Sequence, residues 1–270
     1  MAIITISRGS YSKGKEIAEK VAARLGYDCI SREVILDASA HFNIPEIRLV
    51  KAIHNAPSIL DRFSHTKQAF ISYYQNALSL RVQKDNVVYH GLAGHLLLKG
   101  ISHVLKIRII AALSTRVKYE MEREGISEQE ALALIQKDDQ ERRRWTESLY
   151  GVDPWDSSLY DFVIRIDKFT VENAVDFICQ ATAFEQFKTS KGSQQKTDDL
   201  VLASQVKAVL TDQHFDVAVT CEYGNLIIFT KADDRHIHKL EQRAKTLESE
   251  IEGINNIEVH VCVSYPNDVI

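Results

Sequence analysis

The chain has 270 residues, of which 45% are hydrophobic and 26% are charged, as in a folded globular protein with one large domain or one medium and one small domain. Its net charge of -4 lacks the basic excess that binding to a nucleic-acid polymer requires, so we expect no such partner. Its longest apolar runs are about a third of the length that spans a bilayer. Widely spaced cysteines and a first apolar run with no basic segment before it favour a cytoplasmic protein with free thiols.

Apolar runs alternate with amphipathic segments through the first 187 residues. Buried strands are predicted at 2–7, 86–89, 106–112 and 161–166. Helices are predicted at 14–25, 33–41, 59–83, 115–123 and 127–150. This alternation predicts an α/β fold in which helices flank a parallel sheet.

The loop between the first strand and the first helix reads Gly-Ser-Tyr-Ser-Lys-Gly-Lys over residues 9–15 and fits the phosphate-loop pattern G-x-x-x-x-G-K. In such a loop the backbone N–H groups and the helix N-terminus point at an anion, and Lys15 reaches the outer phosphates of a nucleotide. The predicted nucleotide-binding residues here are Gly9, Ser10, Ser12, Lys13, Gly14, Lys15 and Glu16. The alternative is a tight turn in which Lys13 and Lys15 are only solvated.

Glu16 stands where most phosphate loops have the Ser or Thr hydroxyl that holds Mg²⁺. A carboxylate is larger than a hydroxyl and repels nearby phosphates unless a metal lies between them. The sequence leaves two roles open for Glu16: holding Mg²⁺ through a water molecule, or turning away to contact the helix terminus.

A capping box begins the helix at 127–150, because Ser127 is followed three residues later by Glu130. This helix carries a run of charged residues over 137–144. Such a run is typical of a solvated helix face.

The composition changes at residues 188–197, which contain no apolar side chain and are typical of a flexible linker. An αββαβ order follows over residues 198–270, which is enough chain for a small independent domain. Its helices are predicted at 199–210 and 234–251, and its strands at 215–221, 226–230 and 257–263. We expect a cut within the linker to leave two pieces that each fold.

Residues 2 to 183 resemble the cytidylate kinase-like family, a branch of the P-loop nucleoside monophosphate kinases. The opening ITISRGSYSKGKEIAEKVAARLGY is similar to that family's I-S-R and glycine-rich loop ending G-[KR]-E-I-A, so Glu16 is typical of the branch. The segments MEREGISEQEALALIQKDDQERRRW and YGVDPWDSSLYDFVIRID resemble its lid helix, the loop after it and the last strand. The resemblance implies a P-loop kinase fold and phosphate transfer from ATP, with Mg²⁺, to a small acceptor such as CMP or dCMP.

The resemblance also implies roles for residues outside the loop. Arg116 and Arg123 take the positions of nucleotide-contacting residues. Asp139 and Arg142, in the pattern D-x-x-R, take catalytic positions together with Lys15. Phosphoryl transfer is catalysed chiefly by positioning and by cations around the migrating group, so an arginine-bearing lid fits this reaction.

Two positions depart from the family's pattern. Ser31 stands where an acidic residue is usual near the acceptor, and Leu92 replaces the arginine expected to hold the acceptor phosphate. The acceptor site is therefore assigned to Ser31, Arg32 and His90, although a lone histidine here is more often structural. Arg32, His90 or a lid arginine are the candidates for the missing positive charge. The lost charge-assisted contact predicts weak or absent activity towards CMP.

Residues 198–268 resemble a BON domain through DDLVLASQVKAVL, VAVTCEYGNLIIFT and IEGINNIEVHV. That resemblance implies a non-catalytic module that binds a protein, a small ligand or a membrane surface. Gly224 suits the turn between the two strands. Four residues at the start of the second helix are expected to be exposed rather than to form a metal site: Asp233, Asp234, His236 and His238.

The sequence leaves three functions open. The first is an ATP-dependent nucleoside monophosphate kinase regulated by the BON-like domain. The second, favoured by Ser31 and Leu92, is a nucleotide-binding sensor or pseudokinase adaptor that presents this domain to a partner. The third is phosphate transfer to some other small molecule, and the oligomeric state is open in all three.

Overall fold

The structure is a computed structural model that describes residues 2–42, 64–231, 234–266 and 269–270. Its strands are β1 (Ile3–Arg8), β2 (Asp28–Ile30), β3 (Val87–Tyr89), β4 (Val104–Ile110), β5 (Phe162–Arg165), β6 (Val217–Glu222), β7 (Asn225–Thr230) and β8 (Asn256–Val261). Its helices are α1 (Gly14–Leu25), α2 (Glu33–His41), α3 (Ser64–Val82), α4 (Gly94–Leu97), α5 (Leu113–Glu124), α6 (Glu128–Tyr150), α7 (Val171–Ala181), α8 (Lys191–Asp212) and α9 (Asp234–Glu250).

The described residues divide into two compact units. The first unit consists of residues 2–34 and 84–190. The second consists of residues 35–42 and 64–83 together with everything described from residue 191 onward.

The first unit is built on a five-stranded parallel sheet with the order β2-β3-β1-β4-β5. β1 lies at the centre, where Ile4 pairs with Val88 on one side and with Leu105 on the other. Ile3, Ile4 and Ile6 are at most 1% exposed, which is the burial expected of a central strand in a parallel sheet. The predicted central parallel strand is confirmed, and the architecture is that of a P-loop kinase fold.

The apolar face of α1 packs into the core of this unit. Ile17 and Val21 of α1 share that core with Val175 and Ile178 of α7, and all four are fully buried. Full burial of such a side chain contributes roughly 1.5–3 kcal/mol. This packing fixes where α1 begins, and therefore where the loop before it lies. Helix α7, strand β2 and the short helix α4 are absent from the sequence prediction.

The second unit contains a mixed three-stranded sheet with the order β6-β7-β8. β6 and β7 form an antiparallel hairpin, and β8 lies parallel to β7, so the predicted αββαβ order is confirmed. The hairpin turn places Tyr223 and Gly224 at positive φ values of 51° and 75°. Buried Asp199 of α8 accepts hydrogen bonds from the backbone N–H groups of both turn residues at 3.0 Å.

The structure differs from the predicted linker at 188–197, because α8 covers its last seven residues. Ser193 and Thr197 are buried there, and the hydroxyl of Thr197 donates to the carbonyl of Ser193 at 3.1 Å. The side-chain amide of Gln194 donates to the carbonyl of Gln83 at 3.1 Å. Because such polar side chains are hydrogen-bonded, some residues of a segment without apolar side chains can be buried.

Helix α3 packs against α8 within the second unit. The hydroxyl of Tyr73 donates to Asp212 at 2.8 Å, and the buried hydroxyls of Ser79 and Ser204 lie 2.8 Å apart. The predicted domain boundaries at 187 and 198 differ from this division, because they assign α3 to the first domain.

No helix within the described residues is long and apolar enough to cross a membrane. The same residues contain no group of three or more His, Cys, Asp or Glu side chains that could hold a metal ion. The side chain of His238 is 72% exposed, as predicted, whereas Asp233 lies outside the described residues.

Candidate functional site

The loop of residues 9–15 is held to the sheet by its own backbone and by Ser12. The N–H of Gly9 donates to the carbonyl of Ile109 at 3.0 Å, which extends the pairing of β1 with β4. The hydroxyl of Ser12 is buried 2.9 Å from the carbonyl oxygen of Gly9 and 3.0 Å from that of Ile109. Ser12, which the sequence places among the nucleotide-binding residues, uses its hydroxyl to anchor the loop.

The backbone of the loop turns sharply just before the N-terminus of α1. Tyr11 and Lys13 have positive φ values of 60° and 61°, and Lys13 is the residue before α1. Such residues bend the chain so that N–H groups line a concavity. Gly14 begins α1, where an added Cβ would lie 2.7 Å from the Cβ of Arg8. Glycine at this position therefore lets the helix start against the end of β1.

The charged side chains that follow the loop are exposed and form ion pairs. The ammonium group of Lys15 lies 3.6 Å from Glu19, and the Lys15 side chain is 63% exposed. The carboxylate of Glu16 lies 3.3 Å from Lys20 and 4.0 Å from Lys13. These exposed pairs are weak, so Lys15 is free to turn towards a bound phosphate. A magnesium role for Glu16 would require its two lysine pairs to open.

Ser10, Arg116 and Asp139, all predicted site residues, meet in one hydrogen-bonded network. The Oδ1 of Asp139 accepts from the N–H of Ser10 at 3.1 Å, and its Oδ2 accepts from Nη1 of Arg116 at 2.7 Å. The same Nη1 donates to the carbonyl of Ser10 at 3.2 Å. Ser10 Oγ and Arg116 Nε are buried without a hydrogen-bond partner in the described part of the chain. The network therefore retains polar atoms that a ligand could satisfy.

Aromatic residues hold further cations beside the loop. The guanidinium of Arg123 lies 4.9 Å from the ring centroid of Tyr11, and the ammonium group of Lys13 lies 4.1 Å from that of Tyr119. The hydroxyl of Tyr11 donates to Asp138 of α6 at 2.8 Å. Arg123 thus reaches the loop through Tyr11 rather than through its backbone.

A cavity lies where the ends of β1 and β4 meet α6. Its charged walls are formed by four arginines and one carboxylate, and its other walls are neutral. The lining residues are Ser7, Arg8, Gly9, Gly91, Leu92, Ala93, His95, Arg108, Asp139, Arg142, Arg143, Thr146, Pro154 and Trp155. Positive charge therefore exceeds negative charge in this cavity.

The arginines of the cavity differ in their partners. Arg143 pairs with Asp153 at 2.7 Å and with Glu147 at 3.0 Å. Arg8, Arg108 and Arg142 have no carboxylate within 4.0 Å among the described residues. Burial, followed by repulsion from Arg142, lowers the pKa of Arg8 from its usual 12.5 to about 10. Uncompensated positive charge of this kind favours an anionic ligand.

Tyr89 shapes the turn that carries Leu92 to the cavity wall. Its hydroxyl donates to the carbonyl of Leu92 at 2.9 Å. An added Cβ at Gly91 or Gly94 would lie 2.1 Å or 2.4 Å from the Tyr89 side chain. Both glycines are therefore required for the turn to pack against the ring of Tyr89.

The residues that the sequence assigns to the acceptor lie outside this cavity. The hydroxyl of Ser31 donates to the carbonyl of His90 at 3.1 Å, while its N–H donates to Glu33 at 2.7 Å. His90 is buried, and its pKa is lowered by burial and by the charge of Arg8. Ser31, Arg32 and His90 do not line the cavity, whereas Arg8 and Arg108 do.

Sequence reasoning missed Arg8 and Arg108 as site residues. Arg8 is the arginine of the I-S-R triplet before the loop, so its position offered a signal. Arg108 interrupts an apolar strand, and a charge within a predicted buried strand is itself the signal that could have identified it.

Comparisons with known proteins place the first unit in a family. The model of the cytidylate kinase-like family matches residues 3–168. A cytidylate kinase of Methanosarcina acetivorans is 40% identical over 101 residues, which cover 37% of this chain and only 55% of that protein. A cytidylate kinase of Sulfolobus acidocaldarius is 28% identical over 176 residues, which cover 65% of this chain and 91% of that protein.

A crystal structure of an uncharacterized protein from Eubacterium ventriosum shares the fold. It superposes with a TM-score of 0.51 at 21% identity, and the match covers 67% of this chain and 98% of that one. The family match, the parallel sheet and the loop after its central strand agree with one another. The chain belongs to the cytidylate kinase-like family.

Proposed function

We propose that the first unit transfers a phosphate group from ATP, bound with Mg²⁺, to a nucleoside monophosphate such as CMP or dCMP. The observation that carries this proposal is the loop of residues 9–15, which follows the central strand and is faced by Arg116 and Asp139. Membership of the family and the similarity to cytidylate kinases support the choice of acceptor.

In this proposal the loop binds the donor. Its N–H groups and the N-terminus of α1 receive the outer phosphates of ATP, and Lys15 leaves Glu19 to contact them. Mg²⁺ bound with ATP would offset the negative charge of the phosphates, and Glu16 is the loop residue that would hold it through water once its lysine pairs open. Arg116 and Arg142 supply positive charge around the migrating phosphate group.

The chemical step needs little from the protein besides position and charge. A phosphate oxygen of the acceptor forms a bond to the γ-phosphorus while the bond from that phosphorus to the β–γ bridging oxygen breaks. The products are ADP and a nucleoside diphosphate. Because the attacking oxygen already carries negative charge, the step requires no strong general base, and the cations lower repulsion between the two phosphates.

A steady-state assay with Mg·ATP and a panel of nucleoside monophosphates tests this function. We expect ADP formation to depend on CMP or dCMP and to fall at least about tenfold in Lys15→Ala. Lys20→Ala is the matched control, because Lys20 is an exposed lysine of α1 in a similar ion pair. If the protein binds ATP but forms no ADP with any nucleoside monophosphate of the panel, the proposal is contradicted.

Leu92 and Asp139 favour a second candidate, a nucleotide-binding sensor. Leu92 offers no charge to an acceptor phosphate, and Asp139 lies against the loop where a phosphate would bind. A sensor would gain thermal stability from ATP alone, whereas a kinase would also gain it from the acceptor.

We also propose that residues 198–270 of the second unit form a BON-like binding module without a catalytic role. Its αββαβ order and its hairpin turn at Gly224 support this. A membrane-surface role is tested by flotation of the full chain with vesicles of 30% anionic lipid, a composition of about the cellular range. Recovery of the protein in the vesicle fraction would support that role, and its absence there would leave proteins and small ligands as the partners.

A further inference from the structure

Arg108 is a buried cation within a parallel sheet. It lies on β4 beside Ser7 of β1, between the fully buried Ile107 and Ile109, and is 8% exposed. Removing a guanidinium from water is unfavourable unless hydrogen bonds or an opposite charge compensate for it. The position therefore requires a counter-charge.

The described part of the chain supplies no counter-charge to Arg108. Both of its hydrogen bonds come from Nη1 and are long, at 3.4 Å to Ser7 Oγ and 3.3 Å to the oxygen of Tyr160. Tyr160 lies 2.9 Å from the carbonyl of Pro154 and donates its hydroxyl proton there, so it meets Arg108 as a neutral acceptor. A guanidinium has five N–H donors, and most of those of Arg108 are left for another partner.

Two further arginines of the same cavity also lack a counter-charge among the described residues. Arg8 and Arg142 also lack a carboxylate partner among the described residues, and repulsion from Arg142 contributes to the lowered pKa of Arg8. The carboxylate on the cavity wall, Asp139, is already engaged by Arg116 at 2.7 Å. Three cations thus surround a space in which one anion would offset their mutual repulsion.

The space has the size and the walls for a phosphate group. It encloses about 50 Å³, several times the roughly 10–15 Å³ that one water molecule needs on this measure. Leu92 and Ala93 form one wall. Burial lowers the pKa of His95 to about 3, so that wall residue is neutral at physiological pH and adds no charge of its own.

We propose that Arg108 and Arg8, assisted by Arg142, bind the monoester phosphate of the acceptor, an assignment that rests on the proposed phosphotransfer. The N–H groups of the loop and Lys15 remain for the phosphates of ATP. Arg108 of β4 then supplies the positive charge that Leu92, on the turn after β3, cannot supply. These arginines make the site selective for phosphorylated nucleosides over unphosphorylated ones.

Calorimetry with CMP, cytidine and ATP tests this assignment in the full chain. We expect Arg108→Met to weaken CMP binding at least about tenfold, while ATP binding stays within about twofold. Cytidine should bind both forms equally, because it has no phosphate. Arg24→Met is the matched control, since Arg24 is an exposed arginine paired with Glu172 and lies outside the cavity.

Two further variants keep the test decisive if Arg108→Met folds poorly. Arg8→Met should also weaken CMP binding selectively, and Arg108→Lys should restore part of it, because the charge returns without the bidentate fork. Leu92→Arg is the reverse test: a tenfold gain in CMP affinity would show that the site lacked this charge and would overturn the assignment.

The outcomes separate this assignment from the proposed function. Turnover with CMP that survives Arg108→Met and Arg8→Met would overturn the assignment and leave the kinase function standing. CMP binding that depends on Arg108 without any turnover would support the assignment and contradict the kinase function. Equal losses of ATP and CMP affinity would show that the arginines hold the donor, and failure of every nucleoside monophosphate to bind would overturn the assignment.

Discussion

The Oδ1 of Asp139 accepts a hydrogen bond from the backbone N–H of Ser10 at 3.1 Å, so a carboxylate of α6 lies on the phosphate loop itself. Arg116 closes the arrangement by donating to both Asp139 and the carbonyl of Ser10. Carboxylate and phosphate oxygens are both anionic acceptors, and they compete for the same N–H group. In the proposed function, binding of ATP would require Asp139 to move away from Ser10 or to share Arg116.

Asp139→Asn should consequently bind ATP more tightly than the unmodified protein, by about three- to tenfold, because the competing negative charge is removed. Turnover should fall in the same variant if Asp139 also orients Arg116 for catalysis. Calorimetry measures the first effect and the product assay the second. Asp138→Asn is the control, since Asp138 contacts Tyr11 and not the N–H of Ser10. If the ATP affinity of Asp139→Asn is unchanged or lower, Asp139 does not compete with a phosphate for the N–H of Ser10.

Lys15→Ala should weaken ATP binding by roughly ten- to a hundredfold while leaving the melting temperature of the free protein nearly unchanged. The reason is that Lys15 is exposed and its ion pair with Glu19 adds little stability. Calorimetry with ATP measures the loss. Equal ATP affinity in the variant and the unmodified protein would remove the phosphate-loop assignment.

The sequence predicted most of the first unit because its signals are local. The β-branched run of β1, the glycines around the loop and the capping box at Ser127 each determine nearby backbone geometry. Strand β2 has three residues, and only Ile30 is buried, so it carries almost no pattern. Its formation depends on pairing with β3, which a single sequence does not display.

In the candidate site, too, local motifs predicted some residues, whereas others depend on long-range contacts. The choice of the loop residues, Arg116 and Asp139 follows from motifs, and the structure shows that Arg116 and Asp139 contact each other and Ser10. Arg108 enters the cavity only because β4 pairs in register with Ser7 of β1, which is a long-range relationship. The helical structure of residues 191–197, in which Ser193 and Thr197 are buried, is likewise not evident from their polar composition, and Gln194 makes a long-range hydrogen bond there to Gln83.

Asp199→Ala should destabilise the second unit by about 2–4 kcal/mol. Asp199 is 6% exposed and accepts from the N–H groups of Tyr223 and Gly224, which would lose their partner in the variant. Urea unfolding followed by circular dichroism measures the change, and ATP affinity serves as the control for the first unit. A loss below about 0.5 kcal/mol would show that the hairpin turn does not depend on this carboxylate.

A fragment of residues 1–187 should lose cooperative unfolding or aggregate, contrary to the expectation from the sequence. Helix α3 packs against α8, and removing α8 would uncover that face of α3 and leave Tyr73 and Ser79 without their partners Asp212 and Ser204. Circular dichroism and light scattering of the fragment test this. A soluble fragment with a sharp unfolding transition would show that α3 finds its packing within the first 187 residues.

Phosphorus NMR of the full chain with Mg·ATP and CMP is the sharpest test of the proposed phosphotransfer, because it detects the transferred phosphate in the product. The signals of ATP and CMP should fall together while those of ADP and CDP rise in equal amounts, and Lys15→Ala should slow this conversion at least about tenfold. Conversion of ATP to ADP and inorganic phosphate without CDP or another nucleoside diphosphate, or no conversion by a protein shown to bind ATP, would contradict it.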